Sequence, residues 1–139
     1  MSLSIRNQLP GTVTGVTAGE AMAAVKVRLV GGQDLTAAVT VDAIEDLALT
    51  VGSAVTALVK STDVALATDP VGGVSIRNQL HGTVTSLTSG AAMATVKVGI
   101  EGGELTAAIT RESAVELGLE QDSSVIALIK STEVSLATA

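Results

Sequence analysis

The chain has no cysteine, no Phe, Tyr or Trp, one histidine and two prolines. Without cysteine there can be neither a disulfide nor a thiolate metal site. A lone histidine, His81, cannot build a transition-metal site within one chain. Without aromatic rings there is no stacking platform of the kind that binders of single-stranded nucleic acid use. The side chains that normally bury the largest areas are missing too, so the core must come from Val, Leu, Ile, Ala and Met. Cations are also scarce. Eight Lys and Arg stand against 14 Asp and Glu, a formal charge of −6, which disfavours nucleic acid and anionic membrane as partners. No apolar run approaches the roughly 18 residues of a spanning helix. The start lacks the basic and apolar regions of a signal peptide. A soluble cytoplasmic protein with no membrane association is expected.

What the chain does have is a repeat. Ser4-Ile5-Arg6-Asn7-Gln8 returns as Ser75-Ile76-Arg77-Asn78-Gln79, and residues 4–68 align with 75–138 after one deletion following Gly103. More than half of the aligned positions are identical. A period this long indicates two copies of one domain and not a solenoid. We place domain 1 at residues 1–68, a turn-rich linker at 69–73 (Asp69-Pro70-Val71-Gly72-Gly73) and domain 2 at 74–139. Each copy, at roughly 65 residues, is near the lower limit for a self-sufficient core, so burial between copies and between chains is expected.

Within one copy the pattern is mostly strand. Gly11–Thr17, Met22–Val30 and Leu35–Val39 alternate apolar with small or polar residues. In the second of these, Val25, Val27 and Leu29 oppose Lys26 and Arg28, and Gly31-Gly32 signals a hairpin. The period then changes: Ile44, Leu47 and Ala48 fall on one face of a short helix with Thr40 as its N-cap. Ala54–Val59 and Val64–Ala67 follow as strands, separated by Lys60-Ser61-Thr62, with Gly52 permitting the turn between helix and strand. The second copy repeats this as Thr83–Thr88, Ala94–Ile100, Leu105–Ile109, a helix from Thr110 to Leu117, Val125–Ile129 and Val134–Ala137. Five short strands with one helix between the third and fourth is the order of an OB-type barrel. Another small barrel or sandwich would share the pattern. The fold expected is all-β with one short helix per repeat. Met22 and Met93 are expected in the core.

The copies agree most where the chemistry lies. Six of the eight cations are in register: Arg6 with Arg77, Lys26 with Lys97, Lys60 with Lys130. Ser4-x-Arg6-Asn7-Gln8, Thr40 and Lys60-Ser61-Thr62 match Ser75-x-Arg77-Asn78-Gln79, Thr110 and Lys130-Ser131-Thr132. All offer hydrogen-bond donors, and Lys and Arg offer nothing else. A helix start adds backbone N–H groups. The combination suits a small oxyanion. No hydroxyl has a nearby histidine and no carboxylate pair repeats, so the site reads as binding without turnover. The bland alternatives are lysines that guard strand edges and arginines paired with surface carboxylates. Asp42 and Glu112, in the first helical turn, count against an anion there unless they point away. Lys26 and Lys97 read as solvated, and His81, which replaces Pro10, as structural or exposed.

The Ser-x-Arg-Asn-Gln start, the Gly-Thr-Val strand, the Leu-Thr-Ala-Ala-(Val/Ile)-Thr approach to the helix and the Lys-Ser-Thr-(Asp/Glu)-Val end resemble, twice over, the Mop domain. This is the TOBE-type, OB-like molybdate-binding module, and two in tandem resemble a di-Mop molbindin. The resemblance implies a cytoplasmic store or buffer for molybdate or tungstate, with no organic cofactor. It implies a homotrimer of tandem chains with oxyanions held between domains. The ligands it implies are Ser4, Arg6, Thr40, Lys60 and Ser61 in the first copy, and Ser75, Arg77, Thr110, Ser113, Lys130 and Ser131 in the second, with Asn7 and Asn78 in the same donor clusters. Ala43 stands where the second copy has Ser113, so the two kinds of site need not be equal. A direct metal-cation site is not expected. A module sensing molybdate in trans for a regulator or transporter is the main alternative. An OB-type nucleic-acid binder fits the composition poorly.

Overall fold

The computed structural model describes residues 2–138. Its elements run β1 (Asn7–Ala18), β2 (Met22–Leu29), β3 (Asp34–Thr40), α1 (Val41–Asp46), β4 (Ala54–Val59), a 3-10 turn at Ser61–Asp63 and β5 (Ala65–Ala67). The second repeat gives β6 (Asn78–Ser89), β7 (Met93–Ile100), β8 (Gly103–Thr110), α2 (Arg111–Glu116), β9 (Ser124–Ile129), a 3-10 turn at Ser131–Glu133 and β10 (Ser135–Thr138).

The expected element order holds. β2 buries Ala23, Val25, Val27 and Leu29 and exposes Met22, Ala24, Lys26 and Arg28, the alternation that a half-buried strand requires. β1 and β6 begin at Asn7 and Asn78, earlier than the apolar alternation marks, because the Asn-Gln segments already pair with β4 and β9. Gly11 is required inside β1: a Cβ there would lie 2.6 Å from the Arg28 carbonyl oxygen and 2.7 Å from Val27 Cγ1. The helices are shorter than the sequence suggests, six residues each.

The sheets do not respect the repeat boundary. One has strand order β10-β4-β1-β2-β3 and the other β5-β9-β6-β7-β8, so each repeat gives its last strand to the other repeat's sheet. β10 pairs with β4, with Leu136 opposite Ala57, and β5 pairs with β9, with Leu66 opposite Ala127. The repeats therefore share one apolar core, running from Leu9, Val13 and Val25 to Leu105, Ile129 and Val134. Val64 and Val134, just after the 3-10 turns, are buried at 2% exposure, which fixes where each exchanged strand departs.

Met22 and Met93 correct an expectation. They are 48% and 47% exposed. Each opens the strand paired with the residue that caps a helix, Met22 opposite Thr40 and Met93 opposite Thr110, and each falls on the exposed face of the alternation, in phase with Lys26 or Lys97. Leu3 and Val74, also equivalent in the two repeats, are 39% and 42% exposed. Four apolar side chains in two matched pairs thus lie at the surface.

Candidate functional site

Each ladder ends beside two cations. Asn7 pairs with Val59 at the end of the β1–β4 ladder, and Arg6 and Lys60 are the next residues beyond it. Asn78 pairs with Ile129 at the end of the β6–β9 ladder, with Arg77 and Lys130 next beyond. Among the described residues the one ion pair is Arg28–Asp34, at 2.9 Å, so Arg6, Arg77, Lys60 and Lys130 have no carboxylate within bridging distance. All four are exposed. Arg6 folds over its own segment, Nε donating to the Ser4 carbonyl at 3.2 Å and Nη2 to that of Leu3 at 3.2 Å. Its remaining N–H groups stay available, because a guanidinium carries five.

Asn7 and Asn78 need a correction as ligands. They are 1% and 3% exposed and act as clasps between repeats. Asn7 Nδ2 donates to the Thr106 carbonyl at 2.9 Å while its Oδ1 accepts from Thr106 N–H at 2.7 Å. Asn78 does the same to Thr36, at 2.8 and 2.7 Å. Each amide imitates a neighbouring strand and satisfies both backbone groups of an edge-strand residue. Burial and this two-point bond occupy the side chains. Their effect is to fix Arg6 beside β8 and Arg77 beside β3.

The same crossing governs the turns. The Ser61–Asp63 turn packs on β8 and the Ser131–Glu133 turn on β3. The donors of one repeat therefore serve the edge strand of the other. A cavity of about 370 Å³ joins Thr62 and Asp63 from the first repeat to Ile76, Ala108, Lys130 and Glu133 from the second. Ser131 Oγ is buried without a hydrogen-bond partner. The buried, unpaired Ser131 hydroxyl is costly for a purely structural surface, whereas Lys130 beside it is exposed and shares its cavity with Asp63 and Glu133. The hydroxyl and the lysine fit a group that accepts hydrogen bonds and carries negative charge.

Thr40 and Thr110 cap their helices as expected, each Oγ1 accepting at 3.1 Å from the N–H of residue 43 or 113. In the second repeat Thr110 Oγ1 also donates to Ser113 Oγ at 2.8 Å. Both threonines are exposed, and neither lines the cavity that holds Lys130. Ala43 and Ser113 instead line separate grooves of about 250 and 310 Å³. In these a helix of one repeat meets the exchanged strand of the other: Ala43 with Leu136, Ser113 with Leu66. Within one chain the Ser131–Glu133 turn packs on β3, the strand that ends at Thr40, and Thr132 lines the groove that holds Ala43; Ile109, the residue before Thr110, lines the cavity with Lys130. Sequence reasoning missed the clasps and the crossing. The repetition of Arg-Asn-Gln was the one sequence trace of the first, and it does not tell a buried amide from an exposed one.

Two stretches of the chain, residues 3–66 and 74–136, match the TOBE domain. Among curated relatives, the molybdenum-pterin-binding protein MopB of Rhodobacter capsulatus is 40% identical over 136 residues, 96% of this chain and 50% of its own length. The molybdenum transport protein ModE of Azotobacter vinelandii is 36% identical over 138 residues, 99% of this chain and 51% of its own. The chain thus spans about half the length of these relatives. A solved structure described as the cytoplasmic molybdate-binding protein ModG, with molybdate bound, is 39% identical, covers all of both chains and superposes with a TM-score of 0.97.

Proposed function

As the chain belongs to the TOBE-domain family, represented twice, we propose that it binds molybdate, and tungstate alike, as a cytoplasmic oxyanion store or buffer. The observation that carries this reading is Ser131 Oγ, buried and unpaired beside Lys130. Support comes from the ModG likeness across the whole chain and from relatives named for molybdenum. The ligands we assign are Ser4, Arg6, Lys60 and Ser61 with Ser75, Arg77, Lys130 and Ser131, completed by Thr40, Thr110 and Ser113. Asn7 and Asn78 leave the set and position it.

The chemistry selects among anions. A site of donors accepts an oxyanion that carries no proton near neutral pH, which molybdate, tungstate and sulfate satisfy. Phosphate, partly protonated there, needs an acceptor that Lys and Arg cannot supply. Size then separates molybdate from the smaller sulfate and does little against tungstate. The role is binding, with no reaction assigned. The reading completes each site with a neighbouring chain. The matched exposed pairs Leu3/Val74 and Met22/Met93 suit burial in such a contact. We take the assembly as a homotrimer of tandem chains. Calorimetric titration with all four anions tests the reading. Molybdate and tungstate should bind, with sulfate and phosphate weak; equal affinity for all four would remove the selection argument.

A second reading has one observation in its favour. The chain matches half of proteins named ModE, one described as a transcriptional regulator in Yersinia pestis at 34% identity. On that reading the same anion site senses molybdate for a regulator. Pull-down of a DNA-binding partner that depends on molybdate would favour it.

A further inference from the structure

The strand exchange poses a problem of partner choice. The two repeats are so alike that a repeat of one chain has, in principle, three partners: its own companion, the companion repeat of another chain, or a second copy of itself. We propose that the contact between the β2–β3 and β7–β8 hairpin tips selects the first repeat against the second and rejects either repeat against its own kind. The inference stands apart from the anion site and does not depend on it.

The tips meet closely. A Cβ on Gly31 would lie 1.7 Å from the Glu101 carbonyl oxygen, so no side chain fits there. Beside this point lies the one inserted residue of the first repeat, Gln33, which has no counterpart after Gly103. Its Nε2 donates to the His81 carbonyl at 3.0 Å, and its Oε1 accepts from His81 N–H at 2.9 Å. His81 is the residue that replaces Pro10. The insertion and the replacement thus meet each other.

Each alternative pairing breaks this contact. Two first repeats would set Gln33 against Pro10, which has no N–H to give. The Pro10 carbonyl already accepts from Val30 N–H at 3.2 Å. Two second repeats would lack the glutamine and would bring Glu101 against Glu101, like charges at a close approach. In the structure the Pro10 side carries only a cavity of about 200 Å³ against the shorter tip, with Gly103 and Glu104 in its lining. The bond is therefore made once per pair of repeats, and only in the mixed pair.

The absence of cysteine supplies a clean assay. Thr56 and Ala137 face each other across the exchanged β4–β10 pairing. In a full-length chain carrying Thr56→Cys and Ala137→Cys, correct pairing within a chain gives an internal crosslink. Pairing between chains gives a crosslinked dimer, and pairing of like repeats leaves free thiols. After unfolding, refolding and oxidation, the otherwise native chain should run almost wholly as the internally linked monomer. Adding Gln33→Ala and His81→Pro should raise the ratio of free-thiol chains to linked chains about tenfold, the effect of losing two hydrogen bonds of ordinary strength. A folded variant with an unchanged ratio overturns the proposal. Pro10→His combined with Glu101→Val removes neither Gln33 bond and supplies the N–H that like pairing lacks. It should also raise the free-thiol fraction, and no rise there overturns the proposal even if the first variant does not fold.

Discussion

The two repeats differ in more than a third of their positions, yet the differences are not spread evenly. The donor groups are unchanged: Ser4-Ile5-Arg6-Asn7 against Ser75-Ile76-Arg77-Asn78, and Lys60-Ser61-Thr62 against Lys130-Ser131-Thr132. The clasps built by Asn7 and Asn78 agree to within 0.1 Å in both bonds. Divergence falls at the hairpin tips, where Gln33 is inserted and His81 faces it, and in the helices, where Ala43 stands against Ser113. The geometry that joins the repeats is duplicated, while the features that tell them apart lie beside it. Substitutions at shared positions should therefore have matched effects, and substitutions at divergent ones should not.

The largest effect is expected at the clasps. Asn7→Ala or Asn78→Ala leaves the N–H and C=O of Thr106 or Thr36 without their partner, which costs on the order of 1–3 kcal/mol each. The double variant should approach the margin on which a small protein folds, roughly 5–15 kcal/mol. Urea unfolding should show equal losses for the two single variants; unequal losses would mean that the clasps are not equivalent. Next come the lysines. Lys60→Ala and Lys130→Ala should each weaken molybdate binding by about 10- to 100-fold, the usual effect of losing a charge-assisted bond of ~1.5–3 kcal/mol, and leave the fold intact. Unchanged titration curves would return these lysines to edge protection. A smaller difference is expected at the helices. Ser113→Ala should reduce affinity by several-fold, about 1 kcal/mol for one neutral hydrogen bond, and Ala43→Ser should raise it. A matched response of both positions would show that the hydroxyl plays no part.

The smallest effect concerns the Arg28–Asp34 pair, which the second repeat lacks because Gly99 replaces Arg28. The Arg28 guanidinium holds the Asp34 carboxyl below its ordinary value through a two-point hydrogen bond. A depressed carboxyl pKa contributes stability above the ordinary carboxyl range, and that contribution disappears as the pH falls through the lower folded-state value. Asp34→Asn should thus be slightly less stable than the parent near neutral pH and indistinguishable from it in strong acid. A gap that persists in acid would assign the loss to packing and not to charge. Both side chains are more than half exposed, which keeps this effect small.

Much of the fold was legible because period-two alternation and turn residues are local signals. Val25, Val27 and Leu29 had to lie on one face, and Gly31-Gly32 had to turn. The exchange of β5 and β10 was not legible. Leu66-Ala67-Thr68 and Leu136-Ala137-Thr138 are identical, so either strand satisfies either sheet. The 3-10 turns that precede them pack on the other repeat's edge strand, a long-range contact that no local pattern announces. The misplacement of Met22 and Met93 has a different cause: the period-two alternation already set them on the face of Lys26 and Lys97, and residue type was allowed to override that phase. For the site, the donors were legible as residue types. Their grouping was not, because it depends on which repeat's edge strand each turn packs against. Asn7 was misread since a buried amide and an exposed one look alike in sequence.

The central proposal is that each oxyanion site is completed by donors from a neighbouring chain. Sedimentation of the purified protein tests it most directly, run over a range of concentrations with molybdate bound and monitored. The account predicts a species of about three times the 13.8 kDa chain, with bound molybdate confined to it and its dissociation suppressed by the ligand. A stable 13.8 kDa monomer that carries molybdate with the affinity of the larger species would contradict it.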